Sequence, residues 1–158
     1  MTSVFTVLHV EDDAGDREIV AAAFRKVAPQ LRIESVSDGV EAVGYLSGLG
    51  PFQDRARSPL PGLLLLDLKL PRKSGLEVLE WVRAHADLKN LPVFMLTSSG
   101  DPADLERARA LGVNSYFTKP VSLAATREIV AGIAEYVSLS ELSGVRPPRA
   151  EQPGLIHG

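Results

Sequence analysis

The chain has 158 residues, a net charge of −3 and a hydrophobic content of 45%, which is typical of a globular protein with a core of normal size. It contains no cysteine, which excludes disulfides and thiolate metal sites, and it has no basic block of the kind that a nucleic-acid-binding surface needs. No stretch approaches the roughly 20 apolar residues of a membrane span, and the N-terminus does not resemble a secretory signal, so we expect a soluble, cytoplasmic protein.

The N-terminal third of the chain predicts two strand–helix pairs. An apolar, β-branched run over residues 4–10 predicts a strand, and helical periodicity over 16–28 predicts a helix that Pro29 closes. A second strand over 31–36 and a short helix over 40–46 follow. His9, in the first strand, is expected to be a packed or edge residue and not a ligand.

Residues 47–62, SGLGPFQDRARSPLPG, hold three glycines and three prolines and predict a loop. The loop is longer than the about 2–6 residues that usually connect elements of an α/β unit. Two interpretations stay open: a passive insertion, or an element that faces a partner or a second subunit.

Three further strand–helix pairs complete the pattern. Residues 63–66 form an apolar strand that runs into Asp67, and Ser74 with Glu77 has the capping-box pattern that begins a helix ending near residue 86. The last two pairs are predicted at 92–96 with 101–111, and at 113–117 with a helix from Ser122 onwards. Strands that alternate with helices in this way predict an α/β fold with a parallel sheet covered on both faces.

Polar residues stand at the carboxyl ends of the predicted strands, where sheets of this kind bind their ligands. They are Glu11, Asp12 and Asp13 after the first strand, Asp67 after the third, Thr97 and Ser98 after the fourth, and Lys119 after the fifth. Neighbouring carboxylates cannot all stay ionised without compensation, and a divalent cation with oxygen ligands provides it.

A carboxylate beside Mg²⁺, a lysine and a hydroxyl group is suited to attack phosphorus. We therefore predict Asp67 as the nucleophile and as one ligand of Mg²⁺ or Mn²⁺. The other predicted ligands are Asp12, Glu11 (directly or through water) and the backbone carbonyl of Lys69. Lys119 and Thr97 are predicted to hold phosphoryl oxygens.

Four motifs, in this order and each at a strand end, resemble the receiver domain of two-component response regulators. They are the acidic pair Glu11-Asp12, LLLLDLKLP around Asp67, LTSS at Thr97, and YFTKP at Tyr116 to Pro120. The resemblance implies a doubly wound, flavodoxin-like receiver over residues 1–137, with a five-stranded parallel sheet in the order 2-1-3-4-5. The extension 138–158 is expected to act as a dimerisation arm.

The same resemblance implies a mechanism. A histidine kinase donates its phosphoryl group to Asp67, Thr97 moves towards it, and Tyr116 turns inward as a switch, with a cis bond between Lys119 and Pro120. Such a protein phosphorylates itself and loses the group slowly, and is not a dedicated enzyme. The implied partners are the kinase and a second copy of the chain, bound through helix 4, strand 5, helix 5 and the C-terminal tail, with no nucleic acid and no membrane.

The long loop, the LDLxLP run and the MLTSS strand are closer to the stand-alone receivers that serve phytochrome-type kinases. Two positions of this pattern, Lys69 and Ser99, tune the lifetime of the phosphoryl group in receivers. Glu11 stands where Asp is more usual, and its longer side chain favours water-mediated contact with the metal.

Three other functions were weighed against this one. A degenerate receiver would act only as a protein-binding module. An aspartyl-phosphate phosphatase of the haloacid-dehalogenase type would need a second aspartate where Lys69 stands. A flavodoxin-like cofactor binder would need a phosphate-cradling loop after the first strand, where the sequence is the acidic EDDAGD.

Overall fold

Five parallel strands form one sheet in the order β2-β1-β3-β4-β5, which confirms the predicted fold. The computed structural model describes residues 4–143. The strands are β1 (Thr6–Val10), β2 (Arg32–Val36), β3 (Leu63–Leu66), β4 (Val93–Thr97) and β5 (Ser115–Thr118). The helices are α1 (Ala14–Val27), α2 (Gly39–Ser47), α3 (Gly75–Ala84), α4 (Pro102–Ala110) and α5 (Leu123–Ser143). Within these residues, no helix combines the length and the apolarity that crossing a membrane requires.

The sheet separates two hydrophobic cores. Leu64 and Leu66 of β3 pack with α2, α3 and α4 on one face, whereas Leu63 and Leu65 pack with α1 and α5 on the other. All four side chains are buried, and each contributes roughly 1.5–3 kcal/mol relative to an exposed position. The continuous leucine run is therefore the signature of a central strand that is covered on both sides.

Several element boundaries differ from the predicted ones. Helix α1 begins two residues early because Asp13 caps it, with Oδ1 accepting a hydrogen bond of 2.8 Å from the backbone N of Asp16. Strand β5 begins at Ser115 because Val113 still belongs to the turn that closes α4, where its N–H donates to the carbonyl of Ala108. Helix α5 continues to Ser143, past the predicted domain boundary at 137, and residues 144–158 of the predicted arm lie outside the described range.

The 47–62 loop is held in place by Arg55. Its guanidinium donates to the carbonyls of Tyr45 and Leu46 at the end of α2 (2.8 and 3.0 Å) and to the carbonyl of Ser58 within the loop (3.0 Å). The hydroxyl of Tyr45 donates to the carbonyl of Pro59 at 2.9 Å, so the last turn of α2 and the end of the loop are joined twice. A loop rich in glycine and proline is thus held mainly by Arg55, and Arg32 of β2 adds a hydrogen bond of 2.8 Å to the carbonyl of Arg57.

Replacement of Arg55 by Ala is expected to lower the free energy of unfolding by about 1–3 kcal/mol, because three backbone carbonyls lose a charged donor. Urea unfolding monitored by circular dichroism measures this change. Arg57→Ala is the matched control, since the Arg57 side chain is exposed in the same loop. Equal stability of the two variants would contradict the role of Arg55.

Candidate functional site

The carboxyl edge of the sheet brings the predicted site residues together. Strands β1 and β3 pair in register from Val7 with Leu63 to Val10 with Leu66, so the residues that follow them, Glu11 and Asp67, emerge side by side. The N–H of Asp67 donates to the carbonyl of Val10 at 3.1 Å and continues this ladder by one bond. On the other side of β3, Thr97 ends β4 and Lys119 follows β5.

Glu11, Asp12 and Asp67 form an acidic trio. One carboxylate oxygen from each lies within 4.8 Å of those of the other two. Glu11 and Asp67 are 1% and 5% exposed, whereas Asp12 faces solvent. Burial raises the pKa of Glu11, although hydrogen bonds from Lys119 and from the backbone N of Asp13 oppose the rise. Three converging carboxylates with an open side fit a hard divalent cation that keeps some of its waters.

Lys119 lies at the centre of the site. Its ammonium contacts Oε1 of Glu11 at 2.6 Å, Oδ2 of Asp67 at 2.9 Å and Oδ2 of Asp16 at 3.1 Å. Burial alone would lower the pKa of Lys119, but the hydrogen bonds to these three carboxylates raise it above its ordinary value. The side chain therefore carries a full positive charge at any physiological pH and compensates the buried acids.

A family model of response regulator receiver domains matches residues 7–131. The chain belongs to this family. Response regulator Rcp1 of Synechocystis sp. is 35% identical over 130 residues, which are 82% of this chain and 86% of Rcp1.

Two solved structures extend the comparison. The phosphorylated cyanobacterial phytochrome response regulator RcpA has a TM-score of 0.77 at 34% identity, over 85% of this chain and 94% of RcpA. The Mn²⁺-bound form of Rcp1 has a TM-score of 0.75 at 34% identity, over 84% of this chain and 94% of the other. The resemblance to receivers linked to phytochromes is thus confirmed.

In this receiver Thr97 and Tyr116 are connected through Ser99. Thr97 is fully buried, and its Oγ1 accepts a hydrogen bond of 3.2 Å from the backbone N of Ser99. Tyr116 is also buried, and its hydroxyl donates a hydrogen bond of 3.4 Å to the carbonyl of Ser99. Burial raises the pKa of the Tyr116 hydroxyl, with the carboxylate of Asp104 adding to the effect.

Lys69 lies on the rim of the site. Its backbone N donates to Oδ1 of Asp67 at 3.3 Å, which orients the carboxylate. Together with Asp12, Pro71 and Asp104, Lys69 lines an open groove of about 540 Å³ beside the acidic trio. The lining includes Leu68 and Lys69, the two residues that follow Asp67 in the chain.

One expectation about the site was wrong. No peptide bond among residues 4–143 is cis, so the bond between Lys119 and Pro120 is trans. Trans is the isomer that X–Pro bonds intrinsically prefer, by about 0.5–1 kcal/mol. The N–H of Lys119 donates to the carbonyl of Thr97 at 2.8 Å, so Lys119 is placed by the β4–β5 pairing.

Asp16 and Arg17 belong to the site and were missed by the sequence analysis. Arg17 donates from Nη1 to the carbonyls of Glu11 and Asp12 at 2.8 and 3.1 Å, and so fixes the backbone that carries both acids. Both residues lie in the first turns of α1, which begins two residues before the predicted start. The charged run EDDAGDR was the available signal, but it does not say which charges face the sheet edge.

The loop after Asp67 packs against two glycines at the beginnings of helices. A Cβ at Gly75, the first residue of α3, would overlap the backbone carbonyl oxygen of Asp67. A Cβ at Gly39, the first residue of α2, would overlap the carbonyl of Lys73. Both positions therefore require glycine, because a backbone carbonyl approaches each of them closely.

Gly75→Ala is expected to lower the free energy of unfolding by about 1–3 kcal/mol, because the added methyl group must displace backbone atoms. Gly100→Ala is the matched control, since no atom lies within 4 Å of the position of its Cβ. Thermal unfolding of the two variants tests the prediction. It fails if Gly75→Ala is as stable as the control.

His9 lies in β1 beneath the acidic trio and is 2% exposed. Burial, helped by the charges of Lys119 and Arg17, lowers its pKa from 6.5 to about 3. Among the described residues, its Nδ1 is one of a few buried polar atoms with no hydrogen-bond partner. His9 is consequently neutral at the base of the site, which confirms that it is a packed residue.

The depressed pKa of His9 gives stability a pH dependence. Between pH 6.5 and about 3 the unfolded chain binds a proton at His9 and the folded chain does not. The contribution of neutral His9 to the free energy of unfolding is therefore fully present above pH 6.5. Acidification below that pH removes this contribution by up to about 1.4 kcal/mol per pH unit. His9→Leu should show a shallower loss between about pH 7 and pH 5 in urea unfolding, and a slope equal to that of wild type would contradict the prediction.

Proposed function

We propose that this receiver accepts a phosphoryl group from the phosphohistidine of a histidine kinase onto Asp67. The observation that carries the proposal is the contact of one lysine with the buried carboxylates of Glu11 and Asp67, beside an acidic trio that fits Mg²⁺ or Mn²⁺. A buried aspartate with a cation at its side, followed in the chain by residues that line an open groove, is suited to attack on phosphorus.

In the proposed step a carboxylate oxygen of Asp67 forms a bond to phosphorus while the bond from phosphorus to the histidine nitrogen breaks. The electron pair of the broken bond returns to that nitrogen. The histidine ring, protonated on its other nitrogen, leaves as neutral imidazole. The product is an acyl phosphate on Asp67.

The residues of this chain act by positioning and by charge compensation. Lys119 and the Thr97 hydroxyl would hold phosphoryl oxygens, and the Lys69 N–H already orients Oδ1 of Asp67. A divalent cation, held by the acidic trio and the carbonyl of Lys69, would neutralise the charge of the transferred group. Tyr116 would report the change to the surface through Ser99.

We assign a phytochrome-type sensor kinase as the phosphoryl donor. The support is the similarity to RcpA, a phytochrome response regulator, and to Rcp1. The signal would leave through protein contacts, and slow autodephosphorylation would end it, as for a switch and not for a dedicated enzyme.

We further propose that the receiver proper spans 1–137 and that 138–158 serves as a dimerisation arm, together with α4, β5 and α5. The support is the end of α5, where Leu139 and Leu142 are 48% and 85% exposed. Exposed leucines on a helix that extends beyond the receiver boundary are suited to packing against a second copy.

The test is phosphorylation by acetyl phosphate and Mg²⁺, followed by intact mass spectrometry. Wild type should gain the mass of one phosphoryl group and lose the gain when EDTA is present. Asp67→Asn should gain nothing, because an amide is not a nucleophile at neutral pH, whereas Asp54→Asn, in the exposed loop, should behave as wild type. Absence of labelling in wild type, with acetyl phosphate and with a phosphorylated phytochrome kinase, would indicate a protein-binding module instead.

A further inference from the structure

The ammonium group of Lys119 has three hydrogens, and three carboxylates surround it. The distances from Nζ are 2.6 Å to Glu11, 2.9 Å to Asp67 and 3.1 Å to Asp16. Two of these partners belong to the acidic trio, and the third, Asp16, does not. The geometry thus gives Lys119 one contact outside the chemistry proposed above.

The three partners differ in what phosphoryl transfer does to them. Asp67 becomes an acyl phosphate, loses its negative charge and gives up its ion pair with Lys119. Glu11 is shared with the divalent cation that the trio would hold. Asp16 has neither role, so neither the cation nor the phosphoryl transfer competes for its contact with Lys119.

Helix α1 holds Asp16 at a fixed place relative to the acidic loop. The backbone N of Asp16 donates to the capping carboxylate of Asp13 at 2.8 Å. Arg17, the next residue, donates to the carbonyls of Glu11 and Asp12. The Asp16 side chain is 44% exposed and that of Lys119 is 20% exposed, so the pair lies at the edge of the site and lends itself to substitution without a large loss of packing.

We infer that Asp16 is a positioning residue, which holds the Lys119 ammonium at the phosphoacceptor from the side of α1. This inference rests on the proposed function and names a residue that acts through Lys119. Without Asp16, the flexible Lys119 side chain would keep only two carboxylate partners: Asp67, which loses its charge on phosphorylation, and Glu11, which is shared with the cation. Repulsion between like charges would then displace the ammonium from a bound divalent cation.

The expected result is a loss of phosphorylation rate. At saturating Mg²⁺ and phosphoramidate, Asp16→Ala should be labelled about tenfold more slowly than wild type, less than the ~10²-fold that a 1 Å misplacement can cost. Asp16→Asn keeps the shape and an acceptor oxygen but loses the charge, so its labelling rate should lie between those of wild type and Asp16→Ala. Glu18→Ala is the matched control, because Glu18 is an exposed carboxylate of the same helix that pairs with Arg25, and it should keep the wild-type rate.

A double-mutant cycle separates positioning from a general effect of charge or fold. In a Lys119→Ala background, Asp16→Ala should cause no further loss, because the group through which it acts is gone. A second readout needs neither metal nor phosphodonor: the slowly exchanging ammonium signal of Lys119 in ¹H–¹⁵N spectra should be present in wild type and Glu18→Ala and lost in Asp16→Ala.

The outcomes distinguish the two proposals. No labelling of wild type overturns the proposed function and this inference with it. Labelling of Asp16→Ala at or above the wild-type rate, an equal loss in the Lys119→Ala background, or an unchanged ammonium signal overturns the inference alone.

Discussion

One ammonium group among three carboxylates is the interaction on which the rest of this receiver depends. Burial of Glu11 and Asp67 at the end of an apolar strand pair would be very costly without a cation, because isolated charges are poorly solvated in the interior. Lys119, which lies 103 positions after Asp16 in the chain, supplies that cation. The same contacts that make the site chemically competent therefore also join β1, β3, α1 and the segment after β5.

The surroundings of this ion cluster are arranged so that charge stays at one edge of the sheet. Beneath the acids, His9 is neutral, and the strands below it are packed on both faces by leucine and valine. Around the acids, Arg17 and the glycine at the start of α3 fix the backbone, and the N–H of Lys69 orients the carboxylate of Asp67. Carboxylates held this firmly need little reorganisation to bind a cation or a phosphoryl group, which is the main way in which such sites lower barriers.

The sequence was most informative at positions where a single physical reason explains the type of residue. Four leucines before Asp67 indicate a doubly covered strand, and acids, Thr97 and Lys119 at strand ends indicate a site, because parallel strands end at one edge. It was least informative where a residue contacts a partner from a distant part of the chain. Asp16 reaches Lys119 only because α1 begins where it does. Arg55 binds the end of α2 only because a loop without a periodic pattern folds back onto that helix. The Lys119–Pro120 bond is trans, the isomer that X–Pro bonds prefer intrinsically, so the expectation drawn from the family resemblance was wrong there.

The loop after α2 has a consequence for how relatives of this protein diverge. Gly48 ends α2 with a left-handed φ of 69°, and a Cβ there would lie 3.0 Å from Nη2 of Arg55. Tyr45 and Arg55 thus depend on the same loop: a relative with a shorter loop and no Arg55 no longer needs a hydroxyl at position 45, whereas the left-handed φ at the end of α2 still favours glycine at position 48. Exposed positions of the same loop, such as Gln53 and Arg57, can change freely, so that new partner contacts can be acquired there without any change at the proposed phosphoacceptor.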